Sequence, residues 1–582
     1  MAADTRAKAE DVIPASVIEI EHGNRSLSSE EDEVHVTLKT WVVVFILSMG
    51  YGLSFWPIPV MSAIQSQIAT ELHAANKDIW FIPAWTLSIT VCFMIAGANT
   101  DLLGRRWFLV GGNIVCVVGH IVIGTAKTAD AVIAGMAIAG FGGANCQMAA
   151  FALSELLPNK WRHIGVVLSD VETFIAVTVA PVSARFGYEN GSWRWNFYVA
   201  AIAQFLSFLG LFLMYFPPAH PLGLPFKRVI RELDYVGMFL FVAGSLPVLM
   251  GIVYTTVVSS SDAHVVAPLV VGFFFLVLFA LWETYGNSKH PLAPTYVFTS
   301  SWGRDFTAPC IVVAVVNMFY YSSSILWPTM ISEFYANGSD WRYGILLSVV
   351  QGLAITFGAT LLALFGSKIK YWQWQLTASV FVMVIFGVLL ALGTPNNKGL
   401  MIAFVFLSQA GYGWAIYLSI AISQMGVEHK NLGLSGGLSG AARFAGGSIA
   451  TAVYTTVLRN TVSKWTTKLV PSAVEAAGLS VSDVPSLLQL VGSPALATTY
   501  SPVIVSAVAD AVQHAYEHGV QLVAYTSLAF GLVGLIACLC CKDVNSKMNN
   551  TIETFIAGEE EKAHIHADHE LENRHDAQEM EK

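Results

Sequence analysis

Charged residues are scarce in this chain. Lysine, arginine, aspartate and glutamate together make up 12% of its 582 residues, whereas they make up about 25% of an average soluble protein. Hydrophobic residues account for 55% of the chain, and the mean hydropathy is +0.58. A composition this apolar excludes a soluble globular protein and predicts one that lies in a lipid bilayer.

Disulfide frameworks and nucleotide- or zinc-binding motifs are also missing. The seven cysteines all lie in or beside hydrophobic runs, so we expect packing residues and not an extracellular disulfide scaffold. The chain has no Gly-x-x-x-x-Gly-Lys-Ser/Thr loop and no His-Glu-x-x-His segment, which leaves ATP-driven transport and metalloprotease chemistry without support. We therefore expect no enzyme activity, no metal or cofactor, and no nucleic-acid partner.

The few charged residues are unevenly distributed, and the acidic ones are concentrated at the two ends. Residues 1–39 carry four basic and nine acidic side chains, and residues 549–582 carry three and ten. Because the formal net charge of the whole chain is -9, the segment between these ends is slightly basic. Acidic segments with few apolar residues cannot bury enough surface to fold. We therefore expect 1–39 and 542–582 to be disordered tails.

Hydrophobic runs of about 20 residues, the length that crosses a bilayer as a helix, recur along the whole chain. Counting them predicts an all-α polytopic membrane protein with fourteen transmembrane helices. The runs lie near residues 41–60, 79–100, 107–125, 131–153, 164–184, 195–216, 236–257, 266–286, 306–331, 342–365, 373–393, 400–424, 436–458 and 520–541.

The basic residues of the short loops are concentrated on one side of this arrangement. Both tails lie on that side because the count is even, together with loop residues such as Arg105, Arg162 and Lys368. The positive-inside rule then predicts that both termini are cytoplasmic. Two Asn-x-Ser sequons, at Asn190 and Asn337, fall in outward loops, where they are either glycosylated or chance matches too close to the membrane. We expect the plasma membrane, with vacuolar and vesicle membranes as alternatives.

One loop between two apolar runs combines an acid with arginines and glycines. It occupies residues 97–106 and reads GANTDLLGRR. Its marked positions are Gly97, Asp101, Gly104, Arg105 and Arg106. Gly97 lets a neighbouring helix approach closely, Asp101 can face the positive end of a helix dipole, and the arginines can hold the loop against acidic partners and lipid headgroups.

A weaker copy of this loop follows a later apolar run. Residues 358–370 read GATLLALFGSKIK, which keeps the glycines and basic residues but lacks the acid. The repeat predicts two six-helix halves, 40–216 and 306–541, with two more helices inserted in the linker 217–305. Within the second half, 459–519 is expected outside the membrane as a small extracellular cap.

The segment 97–106 resembles the Gly-x-x-x-Asp-x-x-Gly-Arg-Arg loop of the major facilitator superfamily, and the resemblance extends over the membrane body. It implies a monomeric carrier of small molecules in which two halves rock about a central site. In that family the loop latches the cytoplasmic side shut when the protein faces outward. A charged loop that only fixes the topology is the alternative.

Further segments indicate a branch of the superfamily. They read ELLPNKWRH at 155–163, APVSAR at 180–185 and WRWNFY at 193–198. They are similar to the fourteen-span fungal drug:proton antiporters, most of all to their trichothecene efflux pump group, with siderophore-iron transporters as near relatives. Two positions depart from the antiporter pattern. Ser183 and Ala184 stand where a Gly-Gly pair is usual, and Met136 stands where many members have arginine, which weakens the inference of drug:proton antiport.

Three ionisable residues are predicted inside the bilayer, where a charge costs about 2.5 to 3.5 kcal/mol on insertion scales. These are Asp170 and Glu172 in the fifth span and Arg443 in the thirteenth. The two acids point to nearly opposite faces of a helix, so we expect one of them to line the cavity and exchange a proton. We favour Glu172 because it is deeper, and cytoplasmic exposure of both is the alternative. Arg443 serves either as counter-charge to the acid or to an anionic substrate, or as an interhelical tether.

Polar and aromatic side chains inside the spans are candidates for substrate contacts, although single aromatic residues are more often packing residues. The candidates are Tyr51, Trp56, Asn145, Gln147, Asn317, Tyr320, Tyr321, Gln351, Gln409, Tyr412 and Trp414. Aromatic walls with a few amides suit an amphipathic, mostly uncharged small molecule with several rings.

These observations lead to a proton-coupled secondary transporter that exports a hydrophobic toxin or secondary metabolite, and the resemblance implies a fungal cell and a molecule of the trichothecene type. Proton-coupled uptake of ferric siderophores uses the same body and is the first alternative. A receptor that has a transporter body and carries no flux is the second.

Overall fold

A computed structural model describes residues 38–157, 159–217, 226–286, 288–336, 341–493 and 495–548. Within these ranges the chain forms helices and no strands. Most of both predicted tails and the sequon residue Asn337 lie outside the described residues, so their predictions are untested.

The first six spans are built from nine helices because three of the spans are interrupted. These are α1 (Leu38–Phe55), α2 (Pro57–Glu71), α3 (Phe81–Leu103), α4 (Arg105–Thr125), α5 (Ala129–Gln147), α6 (Ala149–Leu156), α7 (Arg162–Ser169), α8 (Val171–Glu189) and α9 (Trp195–Met214). The breaks fall at Trp56, Met148 and Asp170. Pro57 follows the first break, where its missing N–H is tolerated at a helix start, and Asp170 has non-helical φ and ψ of -109° and 8°.

The linker contains a short helix and two long apolar ones. They are α10 (Phe226–Glu232), α11 (Tyr235–Tyr254) and α12 (Ala263–Tyr285). The last two pack against each other, and α11 also packs against α3 and the later helix α18. The inserted pair therefore lies beside the contact between the first and last groups of helices.

The short helix α10 ends in a charged cluster. Hydrogen bonds from Lys289 and then Arg228 lower the pKa of Glu232, at the end of α10, to about 2.

The remaining spans come from the last part of the chain. The helices are α13 (Thr295–Thr299), α14 (Thr307–Met330), α15 (Trp341–Ile369), α16 (Trp372–Val388), α17 (Lys398–Met425), α18 (Leu432–Ala476), α19 (Val484–Leu490), α20 (Ala495–Thr499) and α21 (Pro502–Cys540). Thirteen helices among the described residues are long and apolar enough to span a membrane. The predicted thirteenth span lies in α18, which has 45 residues and many glycines and serines. The count of fourteen therefore stays a prediction.

Two helices extend well beyond the hydrophobic runs that predicted them. We expected spans at 436–458 and 520–541, whereas α18 continues to Ala476 and α21 already begins at Pro502. Hydropathy counting misses these extensions because backbone hydrogen bonding continues where the side chains become more polar. The extensions pack with α19 and α20 around a separate apolar cluster that includes Val470, Val484 and Leu487. We call this helical unit, residues 459–519, the cap.

Candidate transport site and its gates

A central cavity lies where the first and last groups of helices meet. The first group contributes Tyr51, Phe55, Gln147, Asp170, Thr173, Phe174 and Val177. The last group contributes Asn317, Tyr320, Tyr321, Ile355, Tyr412, Tyr417, Arg443 and Phe444. The cavity has a volume of about 30 Å³, which is room for about two water molecules. Its walls therefore have to separate before a molecule with several rings can enter.

Asp170 is the acidic residue of this cavity. It occupies the break between α7 and α8 and is 2% exposed. Its Oδ2 accepts a hydrogen bond from the Tyr417 hydroxyl at 2.5 Å, and its Oδ1 has no hydrogen-bond partner. Since Tyr417 belongs to α17, this bond joins the two groups of helices directly across the cavity.

Arg443 is the basic residue of the cavity. It projects from α18, interacts electrostatically with Asp170, and donates a hydrogen bond to the Tyr51 hydroxyl on α1 at 3.1 Å. The Asn317 amide donates to the backbone oxygen of Arg443 at 2.7 Å and fixes this turn of α18. Among the described residues, the cavity thus holds one acid and one base, each bonded to a tyrosine of the opposite group of helices.

The structure places Glu172 away from this pair. Its Cβ lies against α1, where a side chain added to Gly52 would come within 2.3 Å of it. The depth argument that favoured Glu172 assumed a single helix from Ile164 onward. The break at Asp170 changes that geometry and brings Asp170, not Glu172, into the cavity lining.

The cavity includes about half of the predicted substrate contacts. Tyr51, Gln147, Asn317, Tyr320, Tyr321 and Tyr412 line it. The other predicted residues are Trp56, Asn145, Gln351, Gln409 and Trp414, which do not line it.

Those five residues have other surroundings. Asn145 donates to Cys92 Sγ at 3.3 Å between α5 and α3, and Gln351 donates to Ser324 Oγ at 2.8 Å. Trp56 lies at the helix break and Gln409 is fully buried in α17. Trp414 lines a separate groove on the outer surface. Polarity alone therefore does not distinguish a residue that faces the cavity from one that ties two helices together.

Tyr417 and Phe444 are cavity residues that the sequence argument missed. The hydrogen-bonded pair of Tyr417 and Asp170 is 247 residues apart in the chain, so no local spacing reveals it. Phe444 follows Arg443 directly and stacks on Phe93 with ring centroids 5.6 Å apart. Its position next to Arg443, a predicted site residue, was the only sequence signal for Phe444.

Asp101 binds the start of α18 from the last turns of α3, because the segment predicted as a loop is helical except at Gly104. Its Oδ1 accepts from the Gly433 backbone N–H and its Oδ2 from the Leu434 N–H, both at 2.8 Å. These N–H groups belong to the first turn of the helix and carry its positive partial charge. One turn before Asp101, a side chain on Gly97 would come within 2.3 Å of the Gly437 Cα. The loop of the first half is thus bonded to a helix of the second half.

The two arginines of the loop have different surroundings. Arg105 is 4% exposed and forms an ion pair of 3.5 Å with Asp101. Arg106 donates to the Phe212 carbonyl at 2.9 Å, and its Cζ lies 4.0 Å from the centroid of the Phe216 ring. The expected acidic partner is present for Arg105, whereas Arg106 packs on aromatic rings.

The weaker copy of the loop, which is helical and belongs to α15 up to Ile369, also meets the opposite group of helices. A side chain on Gly366 would lie 3.4 Å from the His163 ring, and that ring is 4.9 Å from the Trp372 ring. His163 is fully buried, and neither of its ring nitrogens has a hydrogen-bond partner. On the side of the basic loops, the two groups of helices therefore meet at both copies of the loop.

The predicted glycosylation position Asn190 lies on the surface at the end of α8. Its side chain is exposed, and its Nδ2 donates to the Phe186 carbonyl at 2.8 Å. Nearby, Arg194 forms an ion pair of 3.0 Å with Glu71. The Asn190 side chain is accessible on the face opposite the basic loops.

Comparison with known families decides the class of this protein. The family model described as fungal trichothecene efflux pump (TRI12) matches residues 46–577. The chain belongs to this efflux pump family. Its members among the similar proteins are transporters, so the expectation of a transporter and not an enzyme is confirmed.

Two relatives show how far the similarity of this efflux pump family member extends. The chain is 58% identical over 523 residues to the MFS-type transporter prx5 of Penicillium rubens, which covers 90% of this chain and 94% of that protein. It is 23% identical over 521 residues to the trichothecene efflux pump TRI12 of Fusarium sporotrichioides, with 87% and 86% covered.

Solved structures confirm the major facilitator fold. The human organic anion transporter MFSD10 (TETRAN) superposes with a TM-score of 0.51 at 12% identity and covers 86% of this chain and 98% of its own. The proton:xylose symporter XylE superposes with a TM-score of 0.53 at 10% identity and covers 87% and 95%. Together with the family match, they show that this protein is a multi-pass membrane transporter of small molecules.

Proposed function

We propose that this transporter exports a hydrophobic secondary metabolite from a fungal cell in exchange for protons. A trichothecene-like molecule, which has several rings and no charge, suits walls made of Tyr51, Tyr320, Tyr412 and Phe444. Similar proteins are named efflux pumps, including FUS6 of Gibberella fujikuroi. The cytoplasm is the proposed side of the basic loops and of both tails.

The hydrogen bond between Asp170 and Tyr417 is the observation that carries proton coupling. It joins the two halves through Asp170, the one carboxylate among the described residues that line the cavity. An ionised Asp170 binds Tyr417 and attracts Arg443, which favours the contracted cavity. A proton on Asp170 removes the attraction to Arg443 and weakens the hydrogen bond from Tyr417, because that bond is no longer charge-assisted, so the walls separate more easily. Protonation is thereby linked to the opening of the site.

The proposed cycle uses this link in one direction. A proton that enters from outside neutralises Asp170 and helps to release the exported molecule. When the halves rock and the site faces the cytoplasm, the next molecule enters the widened cavity and Asp170 releases its proton there. The bond between Asp101 and the start of α18 holds the cytoplasmic side closed while the site faces outward, and it breaks in the other half of the cycle.

The proton gradient supplies enough free energy for this work. One proton that crosses about 100 mV yields roughly 2.3 kcal/mol, and two pH units add about 2.7 kcal/mol. Together they support a concentration ratio of roughly a few thousandfold per proton.

Flux in reconstituted vesicles tests the proposal. Purified protein in liposomes should accumulate a labelled trichothecene when a pH difference is imposed, and collapse of that difference with an ionophore should stop the accumulation. Empty liposomes control for partition into the lipid. Accumulation of a ferric hydroxamate siderophore, with no movement of the trichothecene, would show that the siderophore alternative is right.

A further inference from the structure

A groove on the outer surface lies apart from the central cavity. It is enclosed by α15, α16 and α17 and has a volume of about 670 Å³. Its floor consists of the small residues Gly358, Ala378, Ala410 and Gly411. Trp374, one of its walls, is 62% exposed. All three helices are candidate membrane spans, so the groove opens sideways toward lipid chains.

The length of the groove matches one leaflet of a bilayer. Along α15 its lining runs from Phe357 to Ile369, which at a rise of about 1.5 Å per residue is roughly 18 Å. The hydrocarbon core of a bilayer is about 30 Å thick. The groove therefore spans about half of the core and has room for an extended acyl chain.

The end of the groove near the basic loops is cationic. Tyr371 lines it there, and the exposed Lys368 and Lys370 lie directly beside it. Lys368 is seven residues after Leu361 and eleven after Phe357 in the same helix, a spacing that places the three on one face. Neither lysine has an ion-pair partner in the described part of the chain, and α15, α16 and α17 contain no carboxylate. An anion that pairs with these lysines therefore has to come from outside these three helices.

The turn that carries these lysines is held in one conformation. Lys370 and Tyr371 have φ of 57° and 51°, a left-handed region that non-glycine residues seldom adopt. Gln375 stabilises the turn, because its Nε2 donates to the Gly366 carbonyl at 2.9 Å and to the Lys370 carbonyl at 2.5 Å. The cationic mouth is therefore preorganised, which lowers the entropy cost of binding a ligand there.

We propose that this groove binds one anionic phospholipid of the bilayer leaflet on the side of the basic loops. Its phosphate lies at Lys368 and Lys370, and an acyl chain fills the groove over Ala378 and Gly411. Charge complementarity selects the anionic headgroup, because a neutral lipid gains only the apolar contact. The site is independent of the central cavity and of the proposed exchange of protons.

Lipid retention measured by native mass spectrometry tests this site. Full-length protein in detergent is mixed with equal amounts of phosphatidylserine and phosphatidylcholine that have the same acyl chains, and it is then purified away from unbound lipid. We expect one phosphatidylserine to be retained preferentially. A lysine near an anionic headgroup contributes about 1 kcal/mol, so Lys368→Gln or Lys370→Gln should lower that preference about fivefold and the double variant about thirtyfold.

A second pair of variants separates the groove from its mouth. Ala378→Leu fills the groove and should reduce retention of both lipids, whereas Ala280→Leu adds the same bulk to an exposed position of α12 and should not. Lys227→Gln, in the linker, is the matched control for charge. A phosphatidylserine with a photoreactive acyl chain should label peptides of α16.

Two outcomes would overturn the proposal. One is equal retention of both lipids, which would mean that the lysines select no lipid headgroup, for example because the acidic carboxyl-terminal tail occupies them. The other is a preference for phosphatidylserine that survives the double lysine substitution, which would mean that another surface binds the lipid. A melting curve for each variant distinguishes loss of the site from loss of the fold. Because no readout involves transport, failure here leaves the proposed function untouched.

Discussion

The Asp101→Asn substitution tests how strongly the first loop holds the two halves together. In the native protein each carboxylate oxygen accepts one backbone N–H from the start of α18 at 2.8 Å. The variant keeps one acceptor, loses the charge, and turns an NH₂ group toward an N–H. A hydrogen bond to a charged group contributes about 1.5 to 3 kcal/mol, and the interaction with the helix dipole adds about 0.3 to 1 kcal/mol.

Together these losses destabilise the state closed on the side of the basic loops by about 2 to 4 kcal/mol. The closed-to-open ratio should therefore fall by roughly 30- to 1000-fold. Alkylation of an engineered cavity cysteine, Ile355→Cys, reports this ratio. A membrane-impermeant maleimide is added from either face, with the exposed Cys540 replaced by Ser. We expect faster labelling from the face of the basic loops.

Asp130→Asn is the matched control, because Asp130 forms an exposed ion pair of 2.7 Å with Lys77 away from the α18 start. It should leave the labelling unchanged. If Asp101→Asn labels at the native rate from both faces, the bond to α18 does not hold the halves together and the gating argument is wrong.

Three further predictions concern packing, proton coupling and the linker. Gly97→Leu should reduce export per molecule at least tenfold at normal surface expression, because its side chain would overlap the Gly437 backbone; overpacking of this kind costs about 1 to 3 kcal/mol. Tyr417→Phe should alter the pH dependence of export, since its hydroxyl bonds to Asp170, and an unaltered profile would contradict the coupling. Glu232→Gln should leave that profile unchanged between pH 5 and 8. The pKa of Glu232 is lowered to about 2, so its ion pairs are lost only as the pH falls through that value, and a shifted profile would contradict this reasoning.

The helical class, the family and most spans follow from hydrophobic runs and loop motifs. A run of about 20 apolar residues has few other uses than to cross a bilayer, and the loop at 97–106 has a fixed set of residue types. Where the hydrophobic pattern is weak, the predicted span boundaries and the span count are less accurate. The start of α21 at Pro502 was missed because its first turns are amphipathic. The predicted span at 436–458 lies in α18, which is rich in glycine and serine and is not among the thirteen described helices that are long and apolar enough to span a membrane.

The site itself was only partly predictable. Asp170 and Arg443 were found as costly charges in apolar runs, but choosing between Asp170 and Glu172 required the position of a helix break. No proline or glycine at residue 170 marks that break in the sequence. Tyr417, the hydrogen-bond partner of Asp170, comes from a helix that is distant in sequence. Contacts between halves depend on how the helices pack, which single-helix periodicity does not specify.

The central claim is that Asp170 carries the exchanged proton. Its most direct test compares Asp170→Asn with Glu172→Gln in vesicles, measuring accumulation of a labelled trichothecene driven by a pH difference and exchange of labelled for unlabelled substrate without one. Asp170→Asn should abolish the accumulation and retain the exchange, and Glu172→Gln should retain both. Accumulation that persists in Asp170→Asn, or is lost only in Glu172→Gln, would contradict the account.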